Sequence, residues 1–517
     1  MKFIQLISQK IKVYLSSRIS PPHLRLSAFL ISLLSCLVSG SILLFTLFAP
    51  TFHSLLGLTY LQINFIASVS IGGMYLSLPI LGYLSDCYGP SILLFLSMWL
   101  FVPAYFCNSL LVSKQYAGVW IYAITFGMIG LATSSLYFSN LLTCAKIFPH
   151  HKGLAISLPV TCYGLSALLG SQVLKMEQFK YINKAENEGR IGWVQGNDKD
   201  HDDSNNVLNL VRAFEFFALL YLIVGILSFV SSSIVIVEQD AIFEEFEDMI
   251  TGDTTNATSS ASASASASSS GNINTDSFDL GASETTPLRH DSAHSYNELT
   301  PLRSRRSMDP PNHKQRYLRF LKDISAWVIL ISLILNIGPL ESYQNNLSSI
   351  IALTTAPTMP SSAKSLDLSN KVGLLATFST LSRLILGVLI DLFQSHKLNP
   401  IWLLVCTIVV GSFGQWYNNI ILSGIAYGGL FTIYPTIVAS VWGIDIMGST
   451  WGSLMIAPAI GSIIYSLFYG KIADQDLANP ENGIGAYFVS TSISLVVSCV
   501  LVLMAYKVWR KRGQLLS

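Results

Sequence analysis

The chain has 517 residues, 51% of them hydrophobic and only 12% charged, with a mean hydropathy of +0.51 and a net charge of +1. Soluble domains carry about 25% charged residues, and here the apolar residues arrive in blocks of about twenty, the length that crosses a bilayer; a string of soluble domains is excluded and lipid is the expected solvent. The 31 basic residues are dispersed and form no stripe that tracks phosphates, which excludes a nucleic-acid partner.

The stretch from Met1 to Arg25 carries five basic residues (Lys2, Lys10, Lys12, Arg18, Arg25), no acidic residue and no long apolar core, so it reads as a cytosolic tail and not as a cleavable signal. The first span then doubles as the insertion signal. Windows of about nineteen residues predict spans near 26–49, 60–83, 91–112, 117–140, 153–174 and 210–237. The segment 238–323 differs in kind, with Ser-Ala alternation at Ser259 to Ser270 and many Asp, Glu, Asn, Thr and Pro residues. It cannot bury enough apolar surface to fold and is expected to be a disordered cytosolic linker. Within it Glu284-Thr-Thr-Pro-Leu-Arg289 is echoed by Glu298-Leu-Thr-Pro-Leu-Arg303, a duplication open to two readings, low complexity with phosphorylation or a partial acidic dileucine sorting signal. A second set of spans follows near 324–345, 371–392, 399–417, 419–442, 449–470 and 484–506, the tightest break being Asn418-Asn419.

The expected fold class is therefore an all-α membrane protein with about 12 transmembrane helices in two six-helix bundles, 26–237 and 324–506, and a short basic tail over 507–517. Lys507, Arg510, Lys511 and Arg512 mirror the basic N-terminal tail, which places both termini in the cytosol and requires an even number of spans. The loop from Lys175 to Asn209 carries five basic residues on the outer side, balanced by seven acidic ones. The seven cysteines form no CxxC pair and lie in or at the edges of apolar segments, which argues against a disulfide framework, a zinc site or another metal. No Walker loop or nucleophile elbow is present, so neither an enzyme nor an ATP-driven pump is expected, and no cofactor.

The two bundles repeat at an offset of about 300 residues. Gly82-Tyr-Leu-Ser-Asp86 at the end of the second span matches Gly387-Val-Leu-Ile-Asp391 at the end of the eighth; Gly130 matches Gly429; Gly153 with Pro159 matches Gly452 with Pro458. In each GxxxD element the glycine lies one turn from the aspartate on the same face, so a neighbouring helix can approach closely there. The aspartate then sits where it can accept hydrogen bonds from the exposed amides at that neighbour's N-terminus. Gly82, Asp86, Gly89, Gly387 and Asp391 are the expected gating residues.

These residues also carry a resemblance. Gly82-Tyr-Leu-Ser-Asp86-Cys-Tyr-Gly89 resembles the loop signature of the major facilitator superfamily, with Cys87, Pro90 and Ser91 where basic residues are usual. Phe148-Pro149-His-His-Lys152-Gly153-Leu-Ala155 is similar to its FPxx(R/K)GxA element. Ser382-Arg383-Leu-Ile-Leu-Gly387-Val-Leu-Ile-Asp391 and Trp442-Gly443-Ile-Asp445-Ile-Met-Gly448-Ser-Thr-Trp451-Gly452 resemble the monocarboxylate-transporter-homologue branch of fungi. The resemblance implies a multi-span protein of the vacuolar membrane and a monocarboxylate-like substrate moved by alternating access.

Arg383 lies eight residues before Asp391, about 12 Å deeper in a core about 30 Å thick, where a cation by default marks a functional site. Its fork suits a carboxylate, and the resemblance implies a substrate-binding arginine here; pairing with carbonyls or a carboxylate between helices is the competing reading. The resemblance also implies an aspartate one turn earlier and a lysine in the first span for proton coupling, but the chain has Ser379 and an uncharged first span. The remaining carboxylate for a co-transported proton is Glu341, just after the Gly338-Pro339 break in the seventh span, with a lumen-edge carboxylate reaching to water as the competing reading; Glu215 is expected to pair with Arg212 near the outer interface. Thr133, Ser134, Ser135, Tyr137 and Asn140 of the fourth span and Tyr427, Thr432 and Tyr434 of the tenth are expected either to line a substrate cavity with the first and seventh spans or to bond helices together. The sequon at Asn346 faces outward and is open to glycosylation, whereas Asn256 lies in the linker. A secondary transporter of a small organic anion is the expected function, and a sensor on a transporter scaffold is the rival.

Overall fold

The computed structural model describes residues 20–148, 151–174, 176–179, 208–233, 313–354, 361–396, 398–478 and 483–513, with a few short pieces before residue 20. By contact the chain divides into a body of Met1–Val237 with Arg316–Ser517 and a second unit, Glu238–Gln315. Of the second unit only His313–Gln315 are described, as the opening of a helix. The duplicated Thr-Pro-Leu-Arg motif, the sequon at Asn256, Pro149-His150 and most of the loop after Lys175 lie outside the described residues.

Among the described residues, eleven helices are long and apolar enough to cross a membrane, numbered here in chain order with the short ninth included. They are span 1 Pro22–Leu44, span 2 Gln62–Tyr88, span 3 Ser91–Ser113, span 4 Val119–Ile147, span 5 Lys152–Leu174, span 6 Leu210–Ser233, span 7 Ile324–Asn345, span 8 Asn370–Ser395, span 10 Ile420–Val441, span 11 Ile444–Ile472 and span 12 Ile484–Lys511. Span 9, Ile401–Trp416, is apolar but has 16 residues, about 24 Å at 1.5 Å per residue. The turn between spans 9 and 10 is made by Asn418, in a left-handed conformation at φ 47, and by Asn419, whose side chain caps span 10 by accepting from Leu422 N at 3.1 Å. Ile80, Trp99 and Leu467 point outward with 67%, 68% and 71% of their surface exposed, a surface fit for lipid and not for water.

Three spans are interrupted. Span 1 bends at Ser39-Gly40 into a short 3-10 turn, Ser41–Leu44. Span 2 breaks at Ser77, just before Pro79, into Tyr60–Leu76 and Leu78–Tyr88. Span 11 breaks at Met455 into Met447–Leu454 and Ile456–Ala478. In span 7, Pro339 has no N–H for the carbonyl of Leu335, and Ser494 of span 12 donates to that carbonyl instead, at 2.7 Å. The linker ends earlier than the sequence suggests: His313–Lys322, the last ten residues before Asp323, form a helix rather than a disordered stretch. Phe320 is the residue that fixes it, buried to 3% exposure against Trp442, with rings 5.2 Å apart.

Residues of the two halves share one apolar core around the ends of spans 2 and 8: Leu78, Leu81, Leu142 and Ile156 of the first half pack with Ile390, Val438, Met447 and Trp451 of the second. Toward the other end this continuity is lost. There the core around Phe48, Phe52, Tyr105 and Phe214 belongs wholly to the first half, and that around Tyr343, Leu347, Tyr469 and Tyr487 wholly to the second. The bundle is sealed across the halves at the end that carries Asp86 and Asp391, called here the Asp-bearing face.

Candidate functional site

Both aspartates reach across to the opposite half. Asp86 of span 2 accepts from the backbone N–H of Gly448 at 3.2 Å and of Ser449 at 2.5 Å, and from the Ser449 hydroxyl at 2.8 Å. These are the first free amides of helix Met447–Leu454, so a carboxylate caps the positive end of a helix dipole. Asp391 of span 8 accepts from Gly153 N at 2.7 Å and Leu154 N at 3.0 Å, the first amides of span 5. Each half thus caps a helix of the other. The glycines make the approach possible: a methyl on Gly82 would lie 2.0 Å from the carbonyl oxygen of Gly448, and one on Gly387 would lie 2.0 Å from the Ser157 hydroxyl. Gly89 ends the helix of span 2 at φ 86, in the left-handed region that favours glycine.

Two details differ from the sequence repeat. Gly153 supplies a capped amide, and its counterpart in that role is Gly448, not Gly452; Gly452 sits one turn further on, where a methyl would meet the Leu78 carbonyl oxygen at 2.5 Å. The basic residue missing after Asp86 in the chain is supplied from span 4, where Lys146 Nζ lies 4.0 Å from Asp86 Oδ1 with both side chains nearly enclosed. Sequence reasoning passed over Lys146, because a lysine at a span's end is what any cytosolic edge shows.

Deeper in the bundle, Glu341 joins the halves. Its carboxylate accepts from Tyr75 of span 2 at 3.3 Å and from Tyr427 of span 10 at 2.9 Å. Tyr427, expected from the sequence to line a cavity with the seventh span or to bond helices together, meets that span by donating to Glu341; Tyr75 was not among the sequence candidates, because a tyrosine in an apolar span carries no signal of its partner. Arg383 is buried, donates from Nη1 to the carbonyl of Val160 in span 5 at 2.9 Å, and keeps its Nε buried with no partner. The guanidinium fits there because residue 164 is glycine: a methyl at that position would come within 2.1 Å of Nη1. Glu341, Tyr137, Tyr163 and Tyr427 all fall within the electrostatic reach of the guanidinium. The rings of Tyr137 and Tyr163 lie tilted against each other with centroids 4.5 Å apart, and Tyr163 turns its hydroxyl to Met74. A carboxylate, a guanidinium with an unfilled donor and several phenols are thus buried in the bundle close enough to influence one another.

The other expected residues lie elsewhere. Tyr434 is fully buried within the second half and bonds Ser332 at 3.0 Å and Asn336 at 2.5 Å, with Ser498 closing the group, so it ties spans 7, 10 and 12 together. Asn140 is fully buried and donates to Leu136 of its own helix. Asn346 caps span 7, its amide donating to the Ser342 carbonyl at 2.9 Å and the Ser466 hydroxyl at 3.3 Å. Glu215 accepts from Ser109 at 3.3 Å, while Arg212 donates to the Gln178 carbonyl at 3.4 Å, in place of the expected pair; both line an open cavity of about 430 Å³ at the end opposite the Asp-bearing face.

Comparison with known proteins agrees with this architecture. The Major Facilitator Superfamily profile matches residues 27–173. A protein of Candida albicans described as "Probable transporter MCH1" is 50% identical over 513 residues, covering 99% of this chain and 99% of its own length. One of Debaryomyces hansenii with the same description is 46% identical over 99% of this chain and 98% of its own. Among solved structures, the proton:xylose symporter XylE superposes with a TM-score of 0.59 at 11% identity over 93% of this chain and 96% of its own, a likeness of fold.

Proposed function

Because the chain belongs to the MCH1 family of probable transporters within the major facilitator superfamily, and is thus a secondary transporter and not an enzyme, we propose that it moves a small organic anion by alternating access across the vacuolar membrane. The observation that carries this reading is the charge arrangement at the centre: Glu341, held by one tyrosine from each half, faces the same interior as Arg383. A carboxylate entering that region has a planar, two-donor partner with an unfilled N–H in Arg383. Tyr137 supplies an aromatic wall beside it; Tyr434 and Asn140 act by holding the helices that frame the site.

Charge balance favours a co-transported proton. Empty, the site sums Glu341 and Arg383 to zero. An anion arriving by itself leaves one net negative charge in an apolar core, which is expensive. With a proton on Glu341 the loaded site is neutral again, and both the empty and the loaded carrier reorient without moving net charge. Asp86, Asp391 and the glycines at their crossings serve as the gate on the cytosolic side, with both termini on that side.

The test is solute uptake by isolated vacuoles carrying wild-type protein, Arg383→Ala or Arg383→Lys. Uptake of at least one organic anion is expected to depend on the arginine, with lysine restoring it only in part. If no organic anion shows that dependence, the anion reading falls.

A further inference from the structure

The helix His313–Lys322 runs directly before span 7, and its part from Arg316 lies at the Asp-bearing face. From Arg316 on, one side of it is seated on the body. The Tyr317 hydroxyl bonds Ser453 at 2.8 Å, its ring lies 5.6 Å from that of Tyr83, and Arg316 pairs with Asp445 at 3.3 Å. The other side is uncovered: Leu318 is 43% exposed, and Arg319 and Lys322, three residues apart on one face, are exposed.

The end of span 12 is brought beside it by specific contacts. Trp509 donates from Nε1 to Ser325 Oγ at 2.9 Å, packs edge-on against Trp442 at 5.6 Å, and Arg512 pairs with Asp323 at 2.9 Å. With Trp509 turned inward, Lys507, Arg510 and Lys511, at spacings of three and four, present a second exposed basic face. Asp323 and Asp445, the acidic residues in this neighbourhood, are engaged by Arg512 and Arg316, and among the described residues no carboxylate pairs with Arg319, Lys322, Arg510 or Lys511. Immediately below this layer the surface turns apolar. Ile324 is 68%, Trp327 53% and Trp402 52% exposed; Trp327 donates to the Leu321 carbonyl at 2.8 Å, and Trp402 packs edge-on to Tyr506. Outward indoles at one level mark the depth of the membrane interface.

We propose that Arg319, Lys322, Lys507, Arg510 and Lys511 form a docking surface for the headgroup of an anionic phospholipid. Its phosphate and carboxylate meet the two basic faces, and its acyl chains continue down the apolar wall of Ile324 and Trp327. Charge complementarity selects an anionic lipid, as basic clusters bordering a span do generally, and the adjoining apolar wall favours a lipid over a free anion.

The experiment uses purified full-length protein in phosphatidylcholine nanodiscs with and without a minority of phosphatidylserine, reading lipid retained per copy by native mass spectrometry and the midpoint of thermal unfolding. Wild type is expected to retain phosphatidylserine and to gain several degrees. Arg319→Gln with Lys322→Gln, Arg510→Gln and Lys511→Gln is expected to lose retention several-fold, and Arg510→Gln by itself, at an exposed position, to lose part of it with the fold intact. Lys114→Gln with Arg212→Gln, which removes charge at the opposite end, is expected to match wild type. Equal retention by the quadruple variant overturns the proposal, as does full reproduction of the stabilisation by soluble glycerophosphoserine. So does lipid binding that emerges only once the chain's own acidic run from Glu238 to Asp248 is neutralised, which assigns the surface to that run.

Discussion

Arg383 and Glu341 stand out in the sequence because charges are rare in the spans, yet their roles rest on different grounds. Arg383 gives Nη1 to the Val160 carbonyl and leaves Nε without a partner, so Arg383→Ala is expected to lower uptake ten- to a hundred-fold, since a hydrogen bond to a charged group is worth about 1.5–3 kcal/mol. Glu341→Gln keeps an acceptor for only one of its two tyrosines and can never carry a proton; it is expected to lose net uptake driven by a pH gradient while retaining exchange of the anion across the membrane, which counterflow assays separate. Asp323, outside the spans, gives a pH effect with a definite sign. Partial burial pushes its carboxyl up, but hydrogen bonds to Ser325 and the Arg512 cation outweigh this and hold it below the usual carboxylate range. A depressed folded pKa stabilises above the ordinary carboxylate range and loses its effect as pH falls through the folded value. Asp323→Asn keeps the cap but loses the charge paired with Arg512, and is therefore expected to cost up to about 1 kcal/mol near neutrality and progressively less in acid, read from thermal midpoints against pH.

At the scale of elements, the glycines decide which helices can touch. Span 4 meets span 2 where a methyl on Gly130 would lie 2.0 Å from the Ser70 carbonyl oxygen, and span 10 meets span 8 where one on Gly428 would lie 2.1 Å from that of Ser379. The sequence repeat pairs Gly130 with Gly429, one residue away from the glycine that makes the equivalent contact. At the proposed gate the clearance is as small, so Gly82→Val should keep the Asp-bearing face from closing while leaving each half folded. Increased labelling of Cys87 by a membrane-impermeant thiol reagent, together with lost uptake, is the expected outcome; unchanged labelling and flux would show that the crossing tolerates separation. The break in span 7 is set differently, by Pro339 and by Ser494 satisfying the carbonyl it frees, a partner 159 residues away in the chain.

For the whole molecule, the apolar core joins the halves at one end and divides into separate cores at the other, an arrangement that suits the proposed alternating access. Removing both caps, Asp86→Asn with Asp391→Asn, weakens charge-assisted bonds on the sealed side and is expected to shift the population toward the state open there, read as protection of thiols placed on the opposite side. Deleting 250–310 is expected to leave flux intact, whereas a sensor would lose its output. The spans apart from the short ninth, the repeat and the suitability of both aspartates for capping were legible in the sequence, because hydropathy, glycine spacing and intramembrane charge are local properties that lipid imposes on each segment separately. Which helix each aspartate caps, how Lys146 replaces an absent basic residue, and that Tyr75 and Tyr427 clasp Glu341 were decided only by the tertiary structure. Those partners lie 238 and 363 positions apart in the two caps and 266 for Tyr75 and Glu341, and nothing in a local pattern records a contact formed by two separately folded halves.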